Sequence, residues 1–229
     1  MNIGLAIARN AVRRPTDTAV FGDLTHTWAS LDERTDRIAN HLLSLGLERG
    51  DRVAFLVANR PEVVEVLGGV AKAGLIYVGL NFRLGPVELE QVFDNAEPSL
   101  VITDTEHLPA VRALADHVGI EVEDIDTDAW TEALAGAPAS PPPTLHEVRH
   151  DDDFCIVYTS GTTGRPKGVL FDHARALHRE AAPRLLAPRG TLAHGRAGRQ
   201  QRRVRARQRS GGHRFERGRA LRAQPPLLF

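Results

Sequence analysis

Residues 52–80 read RVAFLVANRPEVVEVLGGVAKAGLIYVGL. Val53 to Val57 is a continuous apolar run, the pattern of a strand covered on both faces rather than one with a wet side. Asn59-Arg60-Pro61 then opens a helix with proline in its first turn, and Gly74 stands where a left-handed residue would close it. Leu75 to Leu80 is a second strand. A strand, a helix and a strand of these lengths predict a parallel pair joined by a crossover.

The same alternation continues outward. Upstream, Gly4 to Arg13 reads as a short helix stopped by Pro15, and Ala19-Val20-Phe21 and Leu24 to Trp28 as a strand pair turning at Gly22-Asp23 with a glycine-first turn. Ser30 followed by Glu33 has the form of a capping box, and Leu31, Thr35, Ile38, Leu42 and Leu45 form one apolar helical face that Gly46 ends. Downstream, Pro86 opens a helix to about Phe93, Leu100 to Thr103 is a strand, Thr105 to Val118 is helical, Ile120 to Ile125 is a strand and Asp128 to Leu134 a short helix. The fold class predicted is α/β, a mainly parallel sheet flanked by helices. Gly136 to Pro143, GAPASPPP, can join neither a helix nor a central strand and is a loop.

Tyr158 to Gly168 reads YTSGTTGRPKG, with three glycines, four Ser/Thr hydroxyls and one lysine directly after the apolar run Phe154 to Val157. Glycines allow successive backbone N–H groups to turn toward one point, and such a nest binds anions. Lys167 adds a mobile full charge. The spacing is not that of a Walker loop, because Pro166 precedes Lys167 and Gly168 follows it. The alternative reading is a solvated Gly/Ser/Thr turn. Val169-Leu170-Phe171 resumes an apolar strand, so the loop connects two strands, and Asp172 is placed to cap a short helix through Leu177.

No apolar run approaches the roughly 20 residues of a membrane span, and the N-terminus lacks the pattern of a secretory signal. Cys155 is the single cysteine, which excludes an internal disulfide, fits a cytoplasmic setting, and reads as a small buried strand residue. His146, His150 and Asp151 to Asp153 are the one grouping with metal-ligand chemistry, and their proline-rich context favours a solvated acidic turn. The formal charge of zero conceals a division: residues 1–169 carry 14 Lys/Arg against 26 Asp/Glu, whereas residues 170–229 carry 15 arginines against Asp172, Glu180 and Glu216. From His178 to Phe229 there is no isoleucine, lysine or aspartate and no sustained period. Such a composition predicts disorder.

With the loop and its flanks in view, the chain resembles the adenylate-forming acyl-CoA synthetases. YTSGTTGRPKG is similar to that family's phosphate-binding signature, and the resemblance reaches upstream through Glu97–Asp104 (EPSLVITD), Ala71-Lys72-Ala73-Gly74, Asn59-Arg60-Pro61-Glu62 and Gly50-Asp51-Arg52-Val53 to about Thr25. Asn81-Phe82-Arg83-Leu84 leans toward fatty-acyl synthetases. The resemblance implies a ligase that uses ATP, Mg²⁺ and coenzyme A to convert a carboxylic acid, with a fatty acid first in line, to an acyl-adenylate and then an acyl-CoA. It implies phosphate contacts from Thr159, Ser160, Gly161, Thr162, Thr163 and Gly164, with Lys167 as the charged partner. No catalytic residue of the family is matched, because the resemblance ends near Leu177. The segments that hold adenine and ribose, and the C-terminal catalytic lysine loop, have no counterpart. Residues 1–177 therefore read as the N-terminal part of an AMP-binding domain, and 178–229 as an arginine-rich tail that suits an out-of-frame reading of GC-rich coding sequence. On this reading the chain is inactive as it stands.

Two other readings belong to different classes. One is a non-catalytic relic that binds ATP weakly or inhibits an intact synthetase. The other is a nucleic-acid-binding protein acting through its arginines, since such clusters contact phosphate backbones. The tail has only Phe215 and Phe229 as aromatics and no recognised reader fold, so nucleic acid is not the expected partner.

Overall fold

The computed structural model describes residues 1–20, 25–159 and 166–181. Ile3–Arg13 forms α1, and Thr18–Val20 (β1) pairs antiparallel with His26–Thr27 (β2). Then follow Trp28–Ser44 (α2), Arg52–Leu56 (β3), Glu62–Ala73 (α3), Ile76–Gly79 (β4), Pro86–Ala96 (α4), Leu100–Thr103 (β5), Leu108–Val118 (α5), Glu121–Asp124 (β6) and Asp128–Gly136 (α6). Asp153–Thr159 (β7), Lys167–Asp172 (β8) and His173–Ala181 (α7) complete the set.

Six strands form one sheet in the order β6-β5-β3-β4-β7-β8. All neighbours are parallel except β7 and β8, which form an antiparallel hairpin at one edge. The period-2 alternation of β3 divides the core between two faces. Val53, Phe55 and Val57 join Ile38, Leu42, Val66, Val70, Trp130 and Leu134 under α2, α3 and α6. Ala54 and Leu56 join Leu89, Val92, Phe93, Val111 and Ala115 under α4 and α5. Helices leaving β3 and β4 thus cover opposite faces, the condition that opens a crevice at the carboxyl ends of an α/β sheet. At the hairpin edge Val157 and Leu170 remain 43% and 36% exposed, and Cys155 is half-buried in β7.

The apolar patterns locate most elements to within a residue or two, and Gly74 closes α3 in the left-handed conformation, φ 75°. Four local expectations need correction. The capping box lies three residues earlier than Ser30–Glu33: Thr27 is the N-cap, its hydroxyl accepts from Ser30 N at 3.2 Å, and Ser30 Oγ accepts from Thr27 N at 3.0 Å. Glu33 instead bonds Arg37 one turn on. Trp28 is therefore the first residue of α2 rather than the end of a strand, with the Arg14 guanidinium 5.1 Å from its ring centre. The helix expected from Thr105 begins at Leu108, because Asp104 accepts from the His107 amide and holds the preceding residues in a turn. Asp172 does cap α7, accepting from Arg175 N at 2.7 Å, but the helix runs past Leu177 to Ala181. The glycine-first turn at residues 22–23 and the tail from residue 182 lie outside the described residues.

Several charges are buried between the helices. Lys72, fully buried on α3, reaches Asp36 Oδ1 at 2.6 Å and both Asp32 Oδ1 (2.5 Å) and the Asp32 carbonyl (2.9 Å) on α2. Glu65 accepts from Arg34 at 2.8 Å and lies 2.7 Å from His26 Nε2, which fastens β2 to α3. Arg52 donates to the carbonyls of Ala96 and Glu97 at the end of α4. Each satisfies groups that burial would otherwise leave costly.

Candidate functional site

β7 runs parallel to β4 and delivers Thr159 to the carboxyl edge of the sheet, where open α/β proteins receive ligands. β8 returns antiparallel, and the register pairs Thr159 with Lys167 and Tyr158 with Gly168. These pairs form the mouth of the glycine-rich connection. Ser160, Gly161, Thr162, Thr163 and Gly164 lie outside the described residues. Thr159 and Lys167 are both exposed. Among the described residues, Lys167 enters no ion pair.

Two features fix the hairpin. The Tyr158 hydroxyl donates to Asn95 Oδ1 on α4 at 2.7 Å, and burial pushes its phenol pKa upward, so it remains a neutral donor. Gly168 is required by packing: a Cβ there would lie 2.9 Å from Ile156 Cγ2 and 3.0 Å from Tyr158 Cζ. The glycine after Lys167 therefore lets Tyr158 lie across β8 and reach α4. Its role is steric, distinct from that expected of the loop glycines.

The same edge carries further polar groups, at positions the sequence marks only as neighbours of strands and helix starts. Asp104, at the end of β5, is buried and lies 2.5 Å from His107 Nδ1, and its other oxygen accepts from Ala58 N at 3.2 Å. Burial alone would raise this carboxyl, but the hydrogen bonds from His107 and Ala58 hold it below the usual range. A cleft of about 240 Å³ lies by the ends of β3 and β4, its lining including Phe55, Val57, Val63 and Tyr77 together with Asn59 and Asn81. The usable signal was positional: Asn59, Asn81 and Asp104 each follow within a few residues of a buried apolar strand.

The grouping at residues 146–153 is spent on local structure. Asp151 pairs with Arg149, and Asp152 accepts from Arg149 N and pairs with Arg49. Among the described residues no three His, Cys, Asp or Glu side chains converge as a metal site, and no helix is long and apolar enough to cross a membrane.

The fold defines an open-sheet α/β protein whose glycine-rich connection lies at the carboxyl edge of the sheet. The chain belongs to the AMP-binding enzyme family, whose model matches residues 7–191, and its relatives are adenylate-forming acyl-CoA synthetases. It is 39% identical over 166 residues to a feruloyl-CoA synthase of Amycolatopsis sp, covering 72% of this chain and 32% of that protein. It is 35% identical over 178 residues to the long-chain-fatty-acid–CoA ligase FadD13 of Mycobacterium tuberculosis, covering 75% and 35%. The inhibitor-bound N-terminal domain of FACL13 from Mycobacterium tuberculosis superposes with a TM-score of 0.69 at 33% identity, covering 75% of this chain and 44% of that one. ATP-bound MatB from Rhodopseudomonas palustris gives 0.68 at 31% identity, covering 79% and 37%. The chain spans about a third of the length of the curated relatives it matches.

Proposed function

We propose that the β7–β8 hairpin is the pyrophosphate cradle of an AMP-forming acid–thiol ligase. The observation that carries this reading is the pairing of exposed Thr159 with exposed Lys167 at the carboxyl end of a parallel strand. One hydroxyl and one exposed ammonium thereby flank a connection rich in glycine, serine and threonine. In the proposed reaction a carboxylate oxygen attacks the α-phosphorus of ATP, the bond to the bridging oxygen breaks, and pyrophosphate leaves. The sulfur of coenzyme A then attacks the acyl carbon and AMP leaves. Thr159, Ser160, Gly161, Thr162, Thr163 and Gly164 would supply hydroxyl and amide donors to the departing phosphates, and Lys167 a full charge. Mg²⁺ would share that charge. Preorganised donors aimed at developing charge are the largest single contribution in many such reactions.

The acid is assigned as a carboxylic acid, with fatty acids the first to test; the names of the relatives include both a long-chain fatty acid ligase and a feruloyl-CoA synthase. Residues 1–177 carry the phosphate half of the site on this reading, and the acyl, adenine and thiol-binding parts belong to sequence beyond them. The tail reads as out of frame, which translation of the other frames after codon 177 tests: neither frame yielding the missing segments would remove the support for it.

Calorimetric titration of the chain with pyrophosphate and with ATP·Mg²⁺ tests the cradle. Binding should weaken about tenfold or more in Lys167→Ala, the scale of a lost charge-assisted contact. No binding by the wild type, or equal binding by the variant, overturns the assignment. ATP–pyrophosphate exchange with fatty acids should stay at background for this chain, and measurable turnover would contradict the division of the site.

A further inference from the structure

His173, the first residue of α7, is fully buried. Its ring stacks on Phe154 at the start of β7, with centroids 4.9 Å apart and planes at 29°. Its Nδ1 accepts the amide of Ile3, the first residue of α1, at 3.3 Å. Accepting there places the proton of the neutral ring on Nε2, which is buried and has no hydrogen-bond partner among the described residues. The neighbouring residue completes the junction: Asn2 Nδ2 donates to the carbonyls of Leu145 (3.2 Å) and Val148 (2.7 Å), and Asn2 Oδ1 caps Leu5 N. The start of α1 is thus seated on the 145–148 turn and on the first residue of α7 by polar bonds made within the protein.

We propose that His173 is an acid-sensitive latch: its unprotonated Nδ1 holds the first turn of α1 against the base of the β7–β8 hairpin, and protonation frees that turn. A proton on Nδ1 removes the acceptor, sets one N–H against another, and leaves a buried cation. The charged groups around it are Asp152 in the turn before β7, Asp172 at the end of β8 and the amino group of Met1. The carboxylates favour the cation and the amine opposes it. Burial, the largest influence, prevails and brings the ring down to about 4 from an ordinary 6.5. Because a ring released to water takes up its proton near 6.5 and the closed one only near 4, the latch is fully closed above about 6.5 and weakens as pH falls toward 4.

Hydrogen exchange of the residue 2–11 segment, corrected for intrinsic rates and compared with β3, reads the latch directly. Protection at Ile3 should fall about tenfold per pH unit between roughly 6.5 and 4 while β3 changes less. His173→Asn keeps an acceptor that cannot titrate, so its α1 protection should be flat in pH. His173→Phe keeps a ring but no acceptor, so the turn should be open throughout. Equal pH responses of α1 and β3 in the wild type, or an undiminished response in His173→Asn, overturn the proposal. The wild-type comparison decides the matter even if neither variant folds.

Discussion

The chain has only two lysines, and they stand under opposite conditions. Lys72 is fully buried, with its ammonium shared between Asp36 and Asp32 on the neighbouring helix. Lys167 is exposed at the mouth of the glycine-rich loop and, among the described residues, joins no ion pair. The first charge is consumed by architecture. The second stands exposed at the hairpin and, on the proposed reading, is available to phosphate. Both fall in segments that resemble the same family, so resemblance alone does not separate their roles; partners and exposure do.

The sharpest attack on this contrast is Lys72→Met. Removing one partner of a buried ion pair leaves the other uncompensated and costs about 3–5 kcal/mol, measurable by urea unfolding. Burial pushes the Asp36 carboxyl upward against the pull of Lys72, so desolvation outweighs the attraction at this site. Lys72→Met combined with Asp36→Leu should therefore recover most of the loss, and a double variant as unstable as the single one would show that the pair contributes net stability. Next in size is acidification. The ring of His173 titrates near 4 in the fold against 6.5 unfolded, so stability is complete above about 6.5 and falls by about 3 kcal/mol as the pH drops to 4. His173→Asn should remove most of that slope. Smallest is Lys167→Ala, which should change stability by no more than about 0.5 kcal/mol while weakening pyrophosphate binding. A large loss of stability there would dissolve the contrast between the two lysines.

The layered fold was legible because strands buried on both faces are continuous apolar runs and because Gly46 and Gly74 mark helix ends. Local polar chemistry was less so. Ser30 suits either the first or the last position of a capping box, and only the two residues of β2 settle it at Thr27. Glu65 and Lys72 look like solvated charges in sequence. Their burial follows from how closely α2 and α3 approach, where a Cβ on Gly69 would meet Ile38 at 2.3 Å. In the candidate site, composition singled out the loop and Lys167, whereas the steric role of Gly168 and the Tyr158–Asn95 tether depend on strand register. No periodicity in the sequence reports that register.

The seat of Asn2 and Ile3 also orders events during synthesis. Helix α1 precedes the other described elements in the chain, yet its start bonds to residues 145, 148 and 173. At ribosomal rates of about 5–20 residues per second, roughly ten to thirty seconds pass before those partners exist. During that interval α2 and α3 can already close over β3, while Asn2 and Ile3 still lack these partners. Asn2 and Ile3 are thus made well before these partners, and anything that occupies them early competes with completion of this junction.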